Sequence, residues 1–156
     1  MKIAIIHGPN INFLGTREPE IYGSEVYESV KTFIDDQAEQ MAQSAGINLE
    51  LTQLQTNHEG EIIDFLQKCH KENFNGIVIN PGALSHYSYA IADAVAGITP
   101  PVIEAHLTNI FAREEHRHKS VIAPVCKGQI TGFGADSYVL SISQLIKLYT
   151  EEHKEG

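Results

Sequence analysis

Residues 2–10, KIAIIHGPN, set an unbroken apolar run directly against a Gly-Pro-Asn turn. A strand wetted on one face alternates apolar and polar residues, whereas one that is apolar throughout is covered on both faces, as in a parallel sheet flanked by helices. The pattern outward from this stretch agrees. Residues 24–45 read as a helix stopped by Gly46, INLELTQLQ (47–55) alternates like a strand, and GEIIDFLQKCHKE (60–72) has helical spacing. TNHE (56–59) places Thr56 and Glu59 three apart, the form of a capping box. GIVIN (76–80) is a short buried strand ending at Pro81-Gly82, and residues 85–96 read as a third helix ended by Gly97. PPVIEAHL (100–107) supplies a fourth strand, NIFAREEHRH (109–118) a short helical turn, SVIAPV (120–125) a fifth strand, and GADSYVLSISQLIKLYTEE (134–152) a final helix.

Five strand–helix units of this length predict an α/β fold: a flavodoxin-like three-layer sandwich. Its five-stranded parallel sheet has the order 2-1-3-4-5, with helices on both faces. Residues 1–150 form one domain and 151–156 a polar tail, with no internal repeat or low-complexity tract. In such a sheet ligands bind beyond the C-terminal strand ends, where the order reverses between strands 1 and 3. HGPN (7–10), NPGALSH (80–86) and EAHLTN (104–109) occupy the ends of strands 1, 3 and 4. They bring Asn10, Asn80, His86, Glu104, His106 and Thr108 to one edge.

Charge removes several function classes. Eleven Lys and Arg against twenty Asp and Glu give a net charge of −9, a field that repels nucleic-acid backbones and anionic membranes. No apolar run is long enough to cross a bilayer, and the N-terminus lacks a basic segment followed by an apolar one. The expectation is a cytoplasmic protein. Cys69 and Cys126 form no CxxC and read as structural thiols of a reducing compartment. Arg17, Arg113 and Arg117 are the only arginines, and their planar forks suit anionic or hydroxyl-rich ligands if the fold gathers them.

The strand ends also exclude chemistries. A phosphoacceptor domain needs carboxylates after strands 1 and 3, where this chain has Asn10 and Asn80. There is no GxxxxGK[ST], GxGxxG, GxSxG or HExxH, GPNINFLG is a poor flavin-phosphate cradle, and no cysteine neighbours a histidine in a catalytic motif. HRH (116–118) is a poor metal pair, and HKS (118–120) reads as surface.

What remains is acid–base chemistry without metal or cofactor. Strand alternation puts Glu104 and His106 on one face, so the carboxylate can accept from one imidazole nitrogen while the other meets a ligand. The alternative is a histidine packed in the crevice and bonded locally. The peptide N–H groups of Leu107 and Thr108, just past the strand end, are suited to a carboxylate. The long segment GPNINFLGTREPEIYG (8–23) carries Arg17 and Tyr22. A phenol has a pKa of about 10, and a neighbouring arginine lowers it by about one to three units, toward the range of a working base. The alternative is an exposed loop whose Tyr22 packs against the first helix.

GPNINFLGTREPEIYG, NPGALSHYSYAIADA (80–94), IEAHLTNIFAREEHRHKS (103–120) and APVCKGQITGFGADSYVLS (123–141) occur in this order and span nearly the whole chain. Together they resemble the type II 3-dehydroquinate dehydratases of the shikimate and quinate pathways. The resemblance implies reversible anti elimination of water from 3-dehydroquinate through an enol or enolate, with no metal, nucleotide or Schiff-base lysine. It implies Tyr22 as the base, Arg17 as its activator, His106 as the acid for the departing C1 hydroxyl, Glu104 as its orienting partner, and Asn10 as the holder of a water that stabilises the enolate. It implies Asn80, His86, Leu107, Thr108 and Arg117 as substrate contacts, Arg113 as a support of the lid region, and Asp93 as a group reaching the ring from a neighbouring subunit. A trimer-based dodecamer follows from the same resemblance.

The chain departs from the family pattern at Phe111, where a histidine is expected, at Leu84-Ser85 for Tyr-Thr, at Ala92 for a basic residue, and at Thr108 for serine. These touch lid packing and trimer contacts rather than any proposed catalytic group. A non-catalytic small-molecule sensor on the same fold, and a purely structural oligomer, are the competing readings. The last leaves the polar crevice unexplained.

Overall fold

A computed structural model describes residues 1–16, 20 and 26–153. Five parallel strands, β1 (Lys2–His7), β2 (Glu50–Gln55), β3 (Gly76–Asn80), β4 (Val102–His106) and β5 (Gly128–Thr131), form one sheet in the order β2-β1-β3-β4-β5. The order is the expected one. Among the described residues four α-helices, α1 (Tyr27–Ala45), α2 (Glu59–Lys71), α3 (Tyr89–Ala96) and α4 (Asp136–Glu152), cover its two faces.

The period-2 geometry of the strands sorts the core into two layers. Ile3, Ile5, Val78 and Ile103 pack with Val30 and Ile34 of α1 and Tyr138, Ile142 and Leu145 of α4. Ala4, Ile6, Ile77, Ile79 and Val102 point the other way, onto Ile62, Leu66 and Cys69 of α2 and Ile91 and Val95 of α3. Each central strand is therefore apolar on consecutive residues, as KIAIIH and GIVIN read. Cys69 and Cys126 are free thiols, and burial pushes them up to about 11 and about 12, which leaves both unreactive.

Three sequence readings are corrected. SVIAPV is not the fifth strand: residues 123–125 form a single 3₁₀ turn, and β5 is the following GQIT. Pro124 has no N–H for a ladder, and the Ser120 hydroxyl accepts from the backbone N–H groups of Ile122 and Ala123, closing the chain into a turn. Residues 85–96 are not one helix. A 3₁₀ turn over Gly82–His86 precedes α3, and Ser88 caps α3 by accepting from the Ile91 N–H at 3.1 Å. Thr56 and Glu59 do not form a capping box. Thr56 bonds Glu61 and accepts from the His58 N–H, while Glu59 accepts from Ser88 at 2.5 Å, tying the start of α2 to that of α3. The first helix, read from residue 24, begins at Tyr27 among the described residues, and the last runs through Glu152, with the His153 ring stacked on Tyr149 at 4.1 Å.

The ends of β1 and β3 lie in close contact. A Cβ on Gly8 would sit 2.7 Å from the Asn80 carbonyl oxygen, which the Gly8 N–H itself bonds at 2.7 Å, and Gly82 adopts φ 58° against Pro9. The two turns are thus locked side by side at the point where the strand order reverses.

Candidate active site

Beyond those turns lies a cavity of about 110 Å³, room for one small molecule rather than a polymer. The ends of β1, β3 and β4 supply its polar lining: Asn10, Asn80, His86, His106, Thr108, Arg113 and Arg117, against Ile11, Phe13, Leu14 and Ile110. It stands at the expected switch point, and two of the three arginines meet there. Arg17 and Tyr22 lie outside the described residues. Leu107 follows β4 and packs against the core, leaving only its backbone as a candidate ligand contact. Asp93 is exposed on α3 and does not line the cavity of its own chain.

Glu104 and His106 share one face of β4, as their spacing predicts. The His106 Nε2 lies 2.5 Å from Glu104 Oε1, both side chains being buried. Ser120 donates to Glu104 Oε2 at 2.8 Å and Gln129 to Oε1 at 3.2 Å. Three donors converge on one carboxylate, which only accepts, so His106 must present Nε2–H to it and keeps Nδ1 for other partners. Ser120 was read as surface within HKS. It is half-buried because the turn that replaces the expected fifth strand folds it under β4.

His86 is fixed in the opposite sense. Its Nδ1–H donates to the Lys119 carbonyl at 2.8 Å; desolvation lowers its pKa against the opposing pull of that bond, with the His106, Arg117 and His116 charges adding to the lowering. In the neutral ring Nε2 is then an acceptor, suited to a ligand hydroxyl. Arg117 pairs with Glu114 at 2.8 Å, and Arg113 lies 3.6 Å from the same carboxylate. That shared partner holds both arginines together in the cavity lining. Among the described residues no three His, Cys, Asp or Glu side chains converge as a metal site.

Asn10 takes the left-handed conformation, φ 69°, and its N–H donates to Asn57 Oδ1 at 3.0 Å. Asn80 donates from Nδ2 to the Tyr138 hydroxyl at 3.0 Å, and its Oδ1 accepts from the Gly82 N–H at 3.2 Å. Tyr138 in turn lies 3.0 Å from His7 Nδ1, and His7 Nε2 lies 2.8 Å from Gln53 Oε1. Asn57, Tyr138, His7, Gln53, Ser120 and Gln129 were missed from sequence. They come from segments far apart in the chain, and only the register of β1, β2, β4 and β5 and the seating of α4 bring them in.

Burial lowers the His7 pKa from 6.5 to about 4, partly offset by its bond to Gln53. The folded state thus binds this proton less readily than the unfolded chain does. Its contribution to stability is intact above pH 6.5 and lost as pH falls toward 4. The loss is about 3 kcal/mol over that interval. Urea melts at pH 7 and pH 4.5 are expected to show this decline in the wild type and a smaller one in His7→Gln. Equal declines would mean that other groups dominate.

The family described as dehydroquinase class II matches residues 1–146. The chain is 55% identical over 141 residues to the 3-dehydroquinate dehydratase of Bacillus licheniformis, covering 90% of this chain and 92% of that one. It is 51% identical over 142 residues to the 3-dehydroquinate dehydratase of Bacillus subtilis, covering 91% of each. The crystal structure of type II dehydroquinase from Butyrivibrio crossotus is 48% identical and superposes with a TM-score of 0.81, over 93% of this chain and 97% of that one.

Proposed function

The chain belongs to the class II dehydroquinase family, and from that premise we propose how its cavity removes water from 3-dehydroquinate to give 3-dehydroshikimate. The observation that carries the reading is the buried imidazole of His106, oriented by Glu104 at the cavity wall. The Tyr22 phenolate, stabilised by Arg17, takes a proton from C2, and the electron pair moves onto the C3 ketone oxygen as an enolate. Asn10 holds the water that hydrogen-bonds this oxygen. The enolate then reforms the ketone as the C1–C2 double bond appears and the C1–O bond breaks. The doubly protonated His106 ring gives its Nδ1 proton to the departing hydroxyl, which leaves as water, and keeps Nε2–H on Glu104, which stabilises the cation before the transfer. The steps need no added oxidant, metal or Schiff base.

Binding follows from the remaining groups. The peptide N–H groups of Leu107 and Thr108 cradle the substrate carboxylate, Asn80, His86 and Arg117 hold ring hydroxyls, and Arg113 supports the closing segment. Asp93 is exposed beside the exposed Tyr87 and Tyr89, so a role at a ring requires a second copy. This supports assembly into trimers and a dodecamer. The proposal places the enzyme in the cytoplasm, in biosynthetic or quinate-degrading metabolism; among the described residues no helix is long and apolar enough to cross a membrane. The relatives' shared enzyme name does not favour a non-catalytic sensor.

Substrate deuterated stereospecifically at C2 tests the mechanism. Anti elimination loses the label trans to the C1 hydroxyl and retains the cis label, both read by mass spectrometry of the product. Loss of the cis label contradicts the proposed placement of base and acid. Native mass spectrometry is expected to show a dodecamer for the wild type. A fully active monomer would remove Asp93 from the mechanism.

A further inference from the structure

Behind Asn80 runs a hydrogen-bonded chain of Gln53, His7 and Tyr138 that the reaction as described does not use. It begins at the surface of α1. Gln53 Nε2 lies 3.1 Å from the Lys31 carbonyl and 2.7 Å from Asp35 Oδ1. A carbonyl and a carboxylate only accept, so the amide nitrogen of Gln53 is committed to that side and its Oε1 faces His7. The His7 Nε2 must then donate, at 2.8 Å. In a neutral ring Nδ1 is left as an acceptor, so the Tyr138 hydroxyl donates to it at 3.0 Å. The oxygen of that hydroxyl accepts from Asn80 Nδ2 at 3.0 Å, and Asn80 Oδ1 accepts from the Gly82 N–H at 3.2 Å. Backbone groups pin both ends, a carbonyl at one and an N–H at the other. The polarity has a single solution.

We infer that His7 and Tyr138 are positioning residues: with Gln53 they form a polarity relay that holds the Asn80 amide in one orientation toward the cavity. The second Nδ2 hydrogen is then what Asn80 offers a substrate oxygen. An amide turned over would point its nitrogen at the Gly82 N–H, donor against donor, and present an acceptor instead. A site built to give one hydrogen bond discriminates strongly against the reversed group, because a buried polar atom is left unpaired. The inference rests on the assignment of Asn80 to substrate binding.

The relay works only with neutral His7. An imidazolium would donate from Nδ1 to the Tyr138 oxygen, which already accepts from Asn80, and the phenolic hydrogen would lose its acceptor. The surroundings keep the ring neutral. His7, Tyr138 and Asn80 are all buried. Tyr138 from α4, Tyr27 edge-on from α1 at 5.3 Å, and Gln53 from β2 enclose the ring. The Lys31 charge disfavours protonation and that of Asp35 favours it; burial outweighs both, and the ring titrates at about 4. Burial also raises the Tyr138 pKa, so its hydroxyl keeps its hydrogen throughout the working range.

Steady-state kinetics on 3-dehydroquinate with three proteins tests the relay. Tyr138→Phe removes the acceptor for Asn80 and is expected to raise KM about tenfold, the scale of one unsatisfied buried hydrogen bond, with kcat within about threefold. His7→Gln retains a donor and an acceptor but does not titrate, and is expected to keep KM within about threefold of wild type at pH 7. The wild-type KM should rise as pH falls toward 4, and this limb should be shallower in His7→Gln, where only His86 of the two histidines still titrates. A merely structural role would move stability without this split. Unchanged KM in folded Tyr138→Phe, or an acid limb in His7→Gln as steep as that of the wild type, overturns the relay. ¹⁵N NMR of wild-type His7 provides a readout independent of catalysis and of the folding of any variant. The relay requires a protonated Nε2 and a bare Nδ1 at pH 7; the reverse tautomer refutes it. Absent turnover by the wild type would count against the enzymatic reading while leaving the tautomer test intact.

Discussion

His106→Asn is expected to lower kcat by about 10²- to 10⁴-fold, the usual worth of a positioned general acid, while KM changes by no more than a few-fold. Asparagine keeps a polar side chain on the same face of β4 and can still donate to Glu104, so the packing of the strand end survives. It has no group that can give up a proton near neutral pH. The C1 hydroxyl would then leave unprotonated, and a poor leaving group raises the barrier to the second step without weakening substrate binding. Glu104→Gln probes the same unit from behind. Glu104 is fully buried and receives donors from His106, Ser120 and Gln129. Glutamine supplies one oxygen and one more donor, so at least one of those three bonds must break and the imidazole loses its anionic partner. We expect a kcat loss of about 10²-fold, in the range reported by removal of a buried orienting partner. Normal kcat in folded His106→Asn would exclude His106 as the acid.

Arg17→Ala and Tyr22→Phe carry the second large effect. A phenol must fall from a pKa of about 10 by roughly three units to serve as a base near neutral pH, an interaction of about 4 kcal/mol. One guanidinium supplies about one to three of those units, so Arg17→Ala is expected to cost about 10²-fold in kcat at pH 7. The direction of the pH profile follows from the role. The base works deprotonated, so removing the arginine raises its pKa and moves the rising limb of activity to higher pH. Tyr22→Phe has no base to recover, and kcat should stay depressed at every pH. Near-normal kcat in Arg17→Ala would refute its assignment.

How far sequence carried the reading depended on where the cause of each feature lies. β1 and β3 were legible to the residue because an apolar run bounded by Gly or Pro is a local signal. β5 was not. Among the described residues it is an edge strand paired to β4 alone, with one strongly apolar residue in GQIT, whereas the preceding SVIAPV has the composition of a strand and the chemistry of a turn. The decisive facts there, the missing N–H of Pro124 and the acceptor oxygen of Ser120, weigh less in a hydrophobic pattern than Val121, Ile122 and Val125 do. At the site, Glu104 and His106 could be paired from alternation alone. Ser120, Gln129, Tyr138 and Gln53 could not, because each becomes a neighbour only through strand register or helix docking. His7 shows the limit well. It ends the stretch that decides the fold, yet its role depends on a tyrosine 131 residues away.

Every assignment at the site depends on acid–base groups of this chain dehydrating 3-dehydroquinate unaided. The direct measurement is the appearance of the conjugated enone by its near-ultraviolet absorbance when purified protein meets 3-dehydroquinate in excess chelator. Turnover is expected at the same rate with and without chelator. A well-folded oligomer that forms no enone, or forms it only when metal is restored, would contradict it.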